Sequence, residues 1–158
     1  SNSNLAKYAT DSTNRKIVSE IASLISDKAD ELGYSDYEAA MLAVSFVQSL
    51  PYTSDKVTTG ADEYVRYPIE TLVDNGGDCE DSSILAAAII REMGYGCALL
   101  RFDDHVAVGV KGGDGIYGSY YQKDGDKYFY LETTGKNWDI GDVPNDYKSL
   151  STKVIVVN

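Results

Sequence analysis

The fold of this chain is decided by residues 76–94, which read GGDCEDSSILAAAIIREMG. Every residue from Ile84 to Ile90 is apolar, so a helix formed by them has no polar face and must be buried on all sides. Only the first turn, which contains Cys79, is polar, and Gly94 ends the segment. We therefore predict a central buried helix whose polar end carries a cysteine.

Two helices precede this segment, and the first of them is amphipathic. Residues 15–32 repeat apolar side chains at the helical spacing, and the apolar positions with the closing glycine are Ile17, Val18, Ile21, Leu24, Ile25, Ala29, Leu32 and Gly33. A second helix begins at Ser35, which is spaced to form a capping box with Glu38, and stops at Pro51. We predict that residues 51–68 are irregular. A loop of this length more often has a function than not. The alternative is a poorly ordered connection.

From Gly96 onward the apolar spacing changes to two, the period of a β-strand. The strand-like runs cover residues 97–102, 105–110, 116–122, 127–133 and 152–157. Turn sequences rich in Asp and Gly separate the first four runs, which predicts an antiparallel meander. Helices followed by strands are typical of an α+β fold in which helices pack on an antiparallel sheet. We predict this fold for a single domain over residues 1–158, with residues 1–14 as a peripheral N-terminal arm.

Length and charge exclude several classes of protein. The chain has 158 residues, which suits one hydrophobic core, and no apolar run approaches the roughly 18 residues of a membrane span. Lys and Arg total 14 against 25 Asp and Glu, for a net charge of −11, and no basic cluster is present to bind a phosphate backbone. We therefore expect no membrane span and no nucleic acid partner.

The residues that bind metals are scarce. One histidine and two cysteines rule out a His-rich or Cys-based metal site, and the pairs Asp62-Glu63 and Asp103-Asp104 lack the spacing of an EF-hand loop. We expect no metal and no other cofactor. The chain starts Ser-Asn-Ser-Asn without an apolar signal segment, which we interpret as a domain of a larger protein. An acidic composition rich in Tyr, Ser and Thr favours an extracellular or cell-surface location, and we expect a monomer.

Cys79 is the first candidate for chemistry. At a helix N-terminus, unpaired backbone N–H groups and the helix dipole favour a thiolate and can hold an oxyanion. Three carboxylates in the same turn, Asp78, Glu80 and Asp81, oppose a thiolate unless a cation pairs with it. The alternative, a small buried hydrophobe, is what most free cysteines are, and the pattern leaves both open. Cys97 alternates with apolar residues of the first strand and is predicted to be core.

His105 and Glu132 are the candidate partners of Cys79. His105 is the only histidine of the chain, so it is the one candidate imidazole base for a cysteine nucleophile. The alternative is a surface histidine at a hairpin. Glu132 lies among rings and aliphatic residues of the fourth strand, where it is a candidate to orient the imidazole. An outward-facing glutamate on a half-exposed strand fits the pattern equally well.

Five segments of the chain fit one known pattern. They are residues 67–72 (YPIETL), 76–81 (GGDCED), 94–95 (GY), 105–108 (HVAV) and 130–134 (YLETT). On these segments the sequence resembles the transglutaminase-like superfamily of papain-like fold, notably its prokaryotic and archaeal members. The resemblance covers about Ser35 to Pro144, and the block around Cys79 is its most specific part. It implies a transglutaminase-core fold.

The resemblance also implies an enzyme mechanism. Cys79 is then the nucleophile, His105 the general base and Glu132 the orienting acid, in acyl transfer through a thioester. The third residue of the family is most often Asp, so Glu132 departs from the pattern by one methylene. We expect a cysteine protease-like hydrolase acting on an amide or peptide of a protein substrate, and transglutaminase-type transfer to an amine stays open. The alternative from another class is a non-catalytic binding module of the same fold that holds a protein or a cell-surface polymer.

An oxyanion hole would include the backbone N–H of Cys79. Gln48 and Tyr52, at the end of the second helix, are further candidates to contact the oxyanion or the substrate. The alternative for Gln48, which the pattern favours, is a solvated helix face.

Overall fold

Residues 5–54 and 64–158 are described by a computed structural model. In chain order the elements are α1 (Leu5–Ala9), α2 (Arg15–Glu31), α3 (Asp36–Gln48), α4 (Pro68–Val73), α5 (Cys79–Glu92), β1 (Cys97–Arg101), β2 (Val106–Gly112), β3 (Tyr120–Lys123), β4 (Asp126–Leu131), a 3₁₀ helix (Asn145–Tyr147) and β5 (Lys153–Val157). Helices precede strands, and the predicted α+β class is confirmed. None of the helices in the two described ranges has the length and apolar character needed to cross a membrane.

α2 and α3 are the two helices that the sequence predicts before the central helix. The Ser35 hydroxyl accepts a hydrogen bond from the Glu38 N–H, and the Glu38 carboxylate accepts one from the Ser35 N–H, so the predicted capping box starts α3. Gly33 has a φ of 70°, the left-handed conformation in which glycine follows the end of a helix. Local side-chain chemistry therefore sets the boundary between these helices.

α4 is a short helix that the sequence did not predict. It begins at Pro68, the last residue of the segment predicted to be irregular, and a proline fits the first helical turn because its missing N–H is not needed there. Before it, the backbone of Tyr52 pairs with Gly77 in an isolated bridge. This bridge ties the chain after α3 to the start of α5. Residues 55–63 of the predicted irregular segment lie outside the described residues.

α5 is the central helix, as predicted. Every side chain from Ile84 to Ile90 is buried. The helix contacts α1, α2, α3 and α4, and it packs on β1 and β2. Cys79 lies in the N-terminal turn, before this apolar stretch begins, and is half-buried, so it lies at the end of the core and not inside it.

The sheet is antiparallel, but it is not the predicted meander. Its strand order is β3-β4-β2-β1-β5, with antiparallel pairing throughout. The side chains from Tyr128 to Leu131 of β4 are buried, whereas those of β3 are largely exposed. β4 therefore takes the place beside β2, and the more polar β3 becomes an edge strand. The spacing of apolar residues predicts strands, and it does not specify which strand neighbours which.

Several strand boundaries and one end of the chain differ from the predictions, and the largest difference is at β3, which begins at Tyr120 and not at residue 116. β2 begins at Val106, one residue after His105, because the His105 carbonyl accepts a hydrogen bond from the Phe102 N–H and closes the preceding turn at 2.8 Å. β4 ends at Leu131, so Glu132 follows the strand. The N-terminal arm expected over residues 1–14 contributes α1 to the core from Leu5 onward, since apolar α1 side chains pack against α5 and β5.

Candidate active site

The fold brings Cys79, His105 and Glu132 to one end of the sheet. Cys79 is the first residue of α5, and His105 directly precedes β2. Glu132 directly follows β4, and β4 is the neighbour of β2, with Val108 opposite Leu131. The end of β4 therefore lies beside the start of β2. Since α5 packs on β2, the N-terminus of α5 lies near both the end of β4 and the start of β2.

His105 and Glu132 form a buried hydrogen bond. Nε2 of His105 lies 3.0 Å from Oε2 of Glu132. The side chains are 7% and 3% exposed, so water screens the pair little. The surface histidine and the outward-facing glutamate that the sequence left open are both excluded by this burial.

The Glu132 carboxylate is saturated with donors. Oε2 also accepts a hydrogen bond from the Tyr130 hydroxyl at 2.7 Å, and Oε1 accepts bonds from the Thr134 hydroxyl at 2.8 Å and the Thr134 N–H at 3.2 Å. Burial by itself raises the pKa of Glu132, but the hydrogen bond and charge of His105 and the other donors outweigh it, so that the pKa is lowered. The carboxylate is thus fixed in place and kept ionised.

His105 lies between an acid and a thiol. Burial lowers the pKa of His105, but hydrogen bonds to Cys79 and Glu132 and electrostatic interactions with them raise it to about 9. Because Nε2 is engaged by Glu132, Nδ1 is the ring nitrogen left for Cys79. The half-buried Cys79 therefore faces an imidazole that holds its proton tightly.

The three carboxylates around Cys79 all have partners. Asp78 caps α5 by accepting hydrogen bonds from the N–H groups of Glu80 and Asp81 at 2.9 and 3.1 Å. Glu80 pairs with Arg101, and Asp81 pairs with Arg66. Carboxylates next to Cys79 disfavour a thiolate there by electrostatic repulsion. This repulsion is reduced, because the charges of Glu80 and Asp81 are compensated.

Arg66 is a residue that the sequence analysis missed. Its side chain is fully buried, with Nη1 2.7 Å from Asp81 Oδ2 and Nε 2.9 Å from Asp74 Oδ2. Its backbone N–H also donates to Asp81 Oδ1 at 2.8 Å. Gly77 passes so close to this pair that a Cβ there would lie 2.5 Å from the Cβ of Asp81. No local spacing marks Arg66, because its contacts with Asp81 are tertiary.

Three buried hydroxyls join α5 to the residues next to His105 and Glu132. Thr133, next to Glu132, lies within hydrogen-bonding distance of Ser82 at 2.8 Å and of Ser83 at 3.1 Å. Ser83 also donates to the carbonyl of Val106, next to His105, at 3.0 Å. These bonds fix the first turns of the helix relative to the His105–Glu132 pair.

Comparison with known proteins supports the fold. No family model matches the chain, and no curated protein matches it. Among solved structures, calcium-bound LapG of Legionella pneumophila is similar, with a TM-score of 0.54 and 16% sequence identity over 87% of this chain and 81% of that chain. This chain has a transglutaminase-like fold. At this identity the likeness shows only the fold. That fold is the one that the sequence resemblance implied.

The backbone N–H of Cys79 lies at the N-terminus of α5. Among the described residues no hydrogen bond engages it, whereas the N–H groups of Glu80 and Asp81 are taken by Asp78. An N–H at the first position of a helix points out of the N-terminus. It is therefore a suitable donor to an oxygen held against the Cys79 sulfur.

Gln48 and Tyr52 occupy different environments. Gln48 is buried, which excludes the solvated helix face, and its Nε2 donates to the carbonyls of Glu132 and Trp138, each at 2.9 Å. Both amide hydrogens are thus used, and the geometry does not favour the predicted oxyanion role. Gln48 instead holds the chain that follows β4 against α3. Tyr52 is exposed, and its backbone joins the bridge to Gly77 two residues before Cys79.

Cys97 belongs to the core, as predicted. Its side chain is buried on β1, and its thiol donates to the carbonyl of Ala87 at 3.4 Å. Burial raises the pKa of Cys97 to about 12. It is therefore unreactive at neutral pH in the folded protein.

Metal ligands are not gathered at this site. Over residues 5–54 and 64–158, no group of three or more His, Cys, Asp or Glu side chains is arranged to hold a metal ion. Asp103 and Asp104, considered from the sequence, lie exposed on the turn before His105. Asp62 and Glu63 lie outside the described residues.

Proposed function

We propose that this chain is a cysteine-dependent acyl-transfer enzyme that cleaves a peptide or another amide through a thioester. The observation that carries the proposal is the buried hydrogen bond between His105 and Glu132 beside Cys79 at a helix N-terminus. The Glu132 carboxylate accepts four hydrogen bonds. A carboxylate fixed in this way keeps an imidazole oriented and charged, whereas a solvated binding surface does not require one. The similar LapG is a cysteine protease, which agrees with this class.

The first half of the reaction would form the thioester. With a pKa of about 9, His105 is cationic at neutral pH and pairs with a Cys79 thiolate. The sulfur attacks the amide carbonyl carbon, and the carbonyl π electrons move to oxygen, which the Cys79 N–H stabilises. When this intermediate collapses, the C–N bond breaks, and the nitrogen takes the proton of His105 Nδ1. The products are a thioester on Cys79 and a free amine.

The second half would release the acyl group. Water attacks the thioester carbonyl while the neutral His105 Nδ1 accepts a proton from it. The C–S bond then breaks, and the carboxylic acid leaves with the thiolate–imidazolium pair restored. An amine in place of water gives a new amide, which is transglutaminase-type transfer. Water is always present, so hydrolysis is the outcome that we propose.

Acyl-enzyme trapping tests this function. The protein is treated with p-nitrophenyl acetate at neutral pH, and the intact mass and peptide map are read by mass spectrometry. We expect one acetyl group on Cys79, none in Cys79→Ala, and slower acylation in His105→Gln. Cys97→Ala is the matched control and should be acetylated at Cys79 at the normal rate. Acetyl groups on lysines only, in all four proteins alike, would favour the non-catalytic binding module.

A further inference from the structure

A tyrosine ring covers the face of the His105 imidazole. The rings of Tyr147 and His105 are stacked, with centroids 4.3 Å apart and an angle of 11° between their planes. Phe102 also lies against both rings, but it is tilted, at 6.4 Å from His105 and 5.6 Å from Tyr147. Only Tyr147 therefore presents a parallel aromatic face to His105 among the described residues.

The position of Tyr147 is set by local structure. Tyr147 ends the 3₁₀ helix, in which its N–H donates to the carbonyl of Pro144 at 2.9 Å, and its own carbonyl accepts from Leu150 at 3.2 Å. Its ring packs against a second small core whose buried members are Leu100, Phe102, Ala107, Tyr130 and Val143. The ring is thus held over the imidazole by the backbone and by packing.

We propose that Tyr147 is a positioning residue for the reaction, because its ring face holds the His105 imidazole in line with Glu132 and stabilises its cationic form. The negative face of an aromatic ring attracts a cation, and the attraction strengthens where water is excluded. A parallel ring in contact also hinders rotation of the imidazole out of the plane that its hydrogen bond to Glu132 requires. The catalytic consequence rests on the proposed function, whereas the effect on His105 itself does not.

Several titratable groups face His105, and the contribution of Tyr147 must be separated from theirs. Glu132 bonds to Nε2, Cys79 faces the ring from α5, and Tyr130 approaches from β4 through its bond to Glu132. Asp104, on the preceding turn, lies near enough to Tyr147 to act on its hydroxyl. Replacing the Tyr147 ring leaves all of these groups in place, so a variant at this position isolates the stack.

The test uses the fact that the chain has one histidine. Its Cε1–H resonance is then assigned without ambiguity, and its pH titration by NMR gives the His105 pKa directly. We expect Tyr147→Leu, which keeps an apolar cover without a π face, to lower that pKa by about half a unit to one and a half units. Tyr147→Phe, which keeps the ring, should leave it within about 0.3 units of the wild type. Tyr147→Met is the second apolar variant should Tyr147→Leu fail to fold.

Tyr121→Leu is the matched control. Tyr121 packs edge-on against Phe102 at 6.0 Å in the same small core, but it does not stack on His105. An equal fall of the His105 pKa in Tyr121→Leu and Tyr147→Leu would overturn the proposal, as would an unchanged pKa in Tyr147→Leu. A fall in Tyr147→Phe as large as in Tyr147→Leu would assign the effect to the hydroxyl and overturn it too. Absence of acyl transfer would refute the proposed function alone, since the titration needs no substrate.

Discussion

At the scale of single residues, Glu132 is where this chain departs from the pattern that its sequence resembles. A glutamate is one methylene longer than the usual aspartate. Here the residue lies just past the end of β4, and its carboxylate is bonded by His105 on one oxygen and by Thr134 on the other. The added length lets the Glu132 carboxylate contact both His105, at the start of the neighbouring strand β2, and Thr134, in the chain that follows β4. Glu132 therefore has the geometry of an orienting acid, and its role is a prediction for kinetics to test.

Glu132→Gln should leave the protein folded and lower turnover by about three to four orders of magnitude. The amide keeps the shape of the side chain but removes the charge that stabilises the His105 cation. The acetyl-transfer rate from p-nitrophenyl acetate measures the effect, and far-UV circular dichroism checks the fold. Glu132→Asp is the control, because it keeps the charge and should lose less activity than the amide. Equal activities of Glu132→Gln and the wild type would remove Glu132 from the mechanism.

The His105–Glu132 pair should give folding stability a defined pH window. The pKa of His105 is raised from 6.5 to about 9, so its contribution is complete below 6.5 and is lost as the pH rises through 9. The pKa of Glu132 is lowered from 4.5, so its contribution is complete above 4.5 and is lost at lower pH. The difference in unfolding free energy between the wild type and His105→Gln should therefore be largest between pH 4.5 and pH 6.5. Urea unfolding at a series of pH values measures it, and a difference that grows toward pH 9 would contradict the assignment.

At the scale of elements, the sequence predicts best what depends on neighbours along the chain. The capping box of Ser35 and Glu38 and the buried body of α5 follow from local spacing, and the structure contains both. The partners of the site follow from tertiary contacts instead. Arg66 contacts Asp81, which lies beyond α4 in the chain, and Gln48 donates to the carbonyl of Glu132 from a distant helix. No periodicity records such contacts, which is why the oxyanion role predicted for Gln48 finds no support and Arg66 was missed.

Arg66→Met should destabilise the fold by about 3–5 kcal/mol, because it leaves the carboxylate of Asp81 buried without its cation. The double variant Arg66→Met with Asp81→Asn should recover part of this loss, since no buried charge is then unpaired. Urea unfolding of the two variants and the wild type measures both changes. A loss below about 1 kcal/mol in Arg66→Met, the size typical of an exposed pair, would show that this ion pair does not hold the start of α5.

At the scale of the whole molecule, one buried helix and one sheet end create the site. α5 is covered by helices on one side and by β1 and β2 on the other, so its N-terminal turn is fixed where β2 begins and β4 ends. The α+β class follows from the order of helical and strand periods in the sequence. The strand order does not, because it depends on the relative burial of β3 and β4 in the folded sheet. That order puts Glu132 beside His105.

The proposed mechanism requires Cys79 to be a nucleophile paired with the His105 cation, and alkylation of Cys79 tests this pairing. Iodoacetamide is added to the folded protein over a range of pH, and the adducts at Cys79 and Cys97 are quantified by mass spectrometry. We predict that Cys79 is modified at about pH 6, where an ordinary thiol is almost wholly protonated, while the buried Cys97 stays unmodified. His105→Ala should abolish the reaction at this pH. Slow and equal modification of both cysteines, rising only at alkaline pH and unchanged in His105→Ala, would show that Cys79 is not a nucleophile paired with His105.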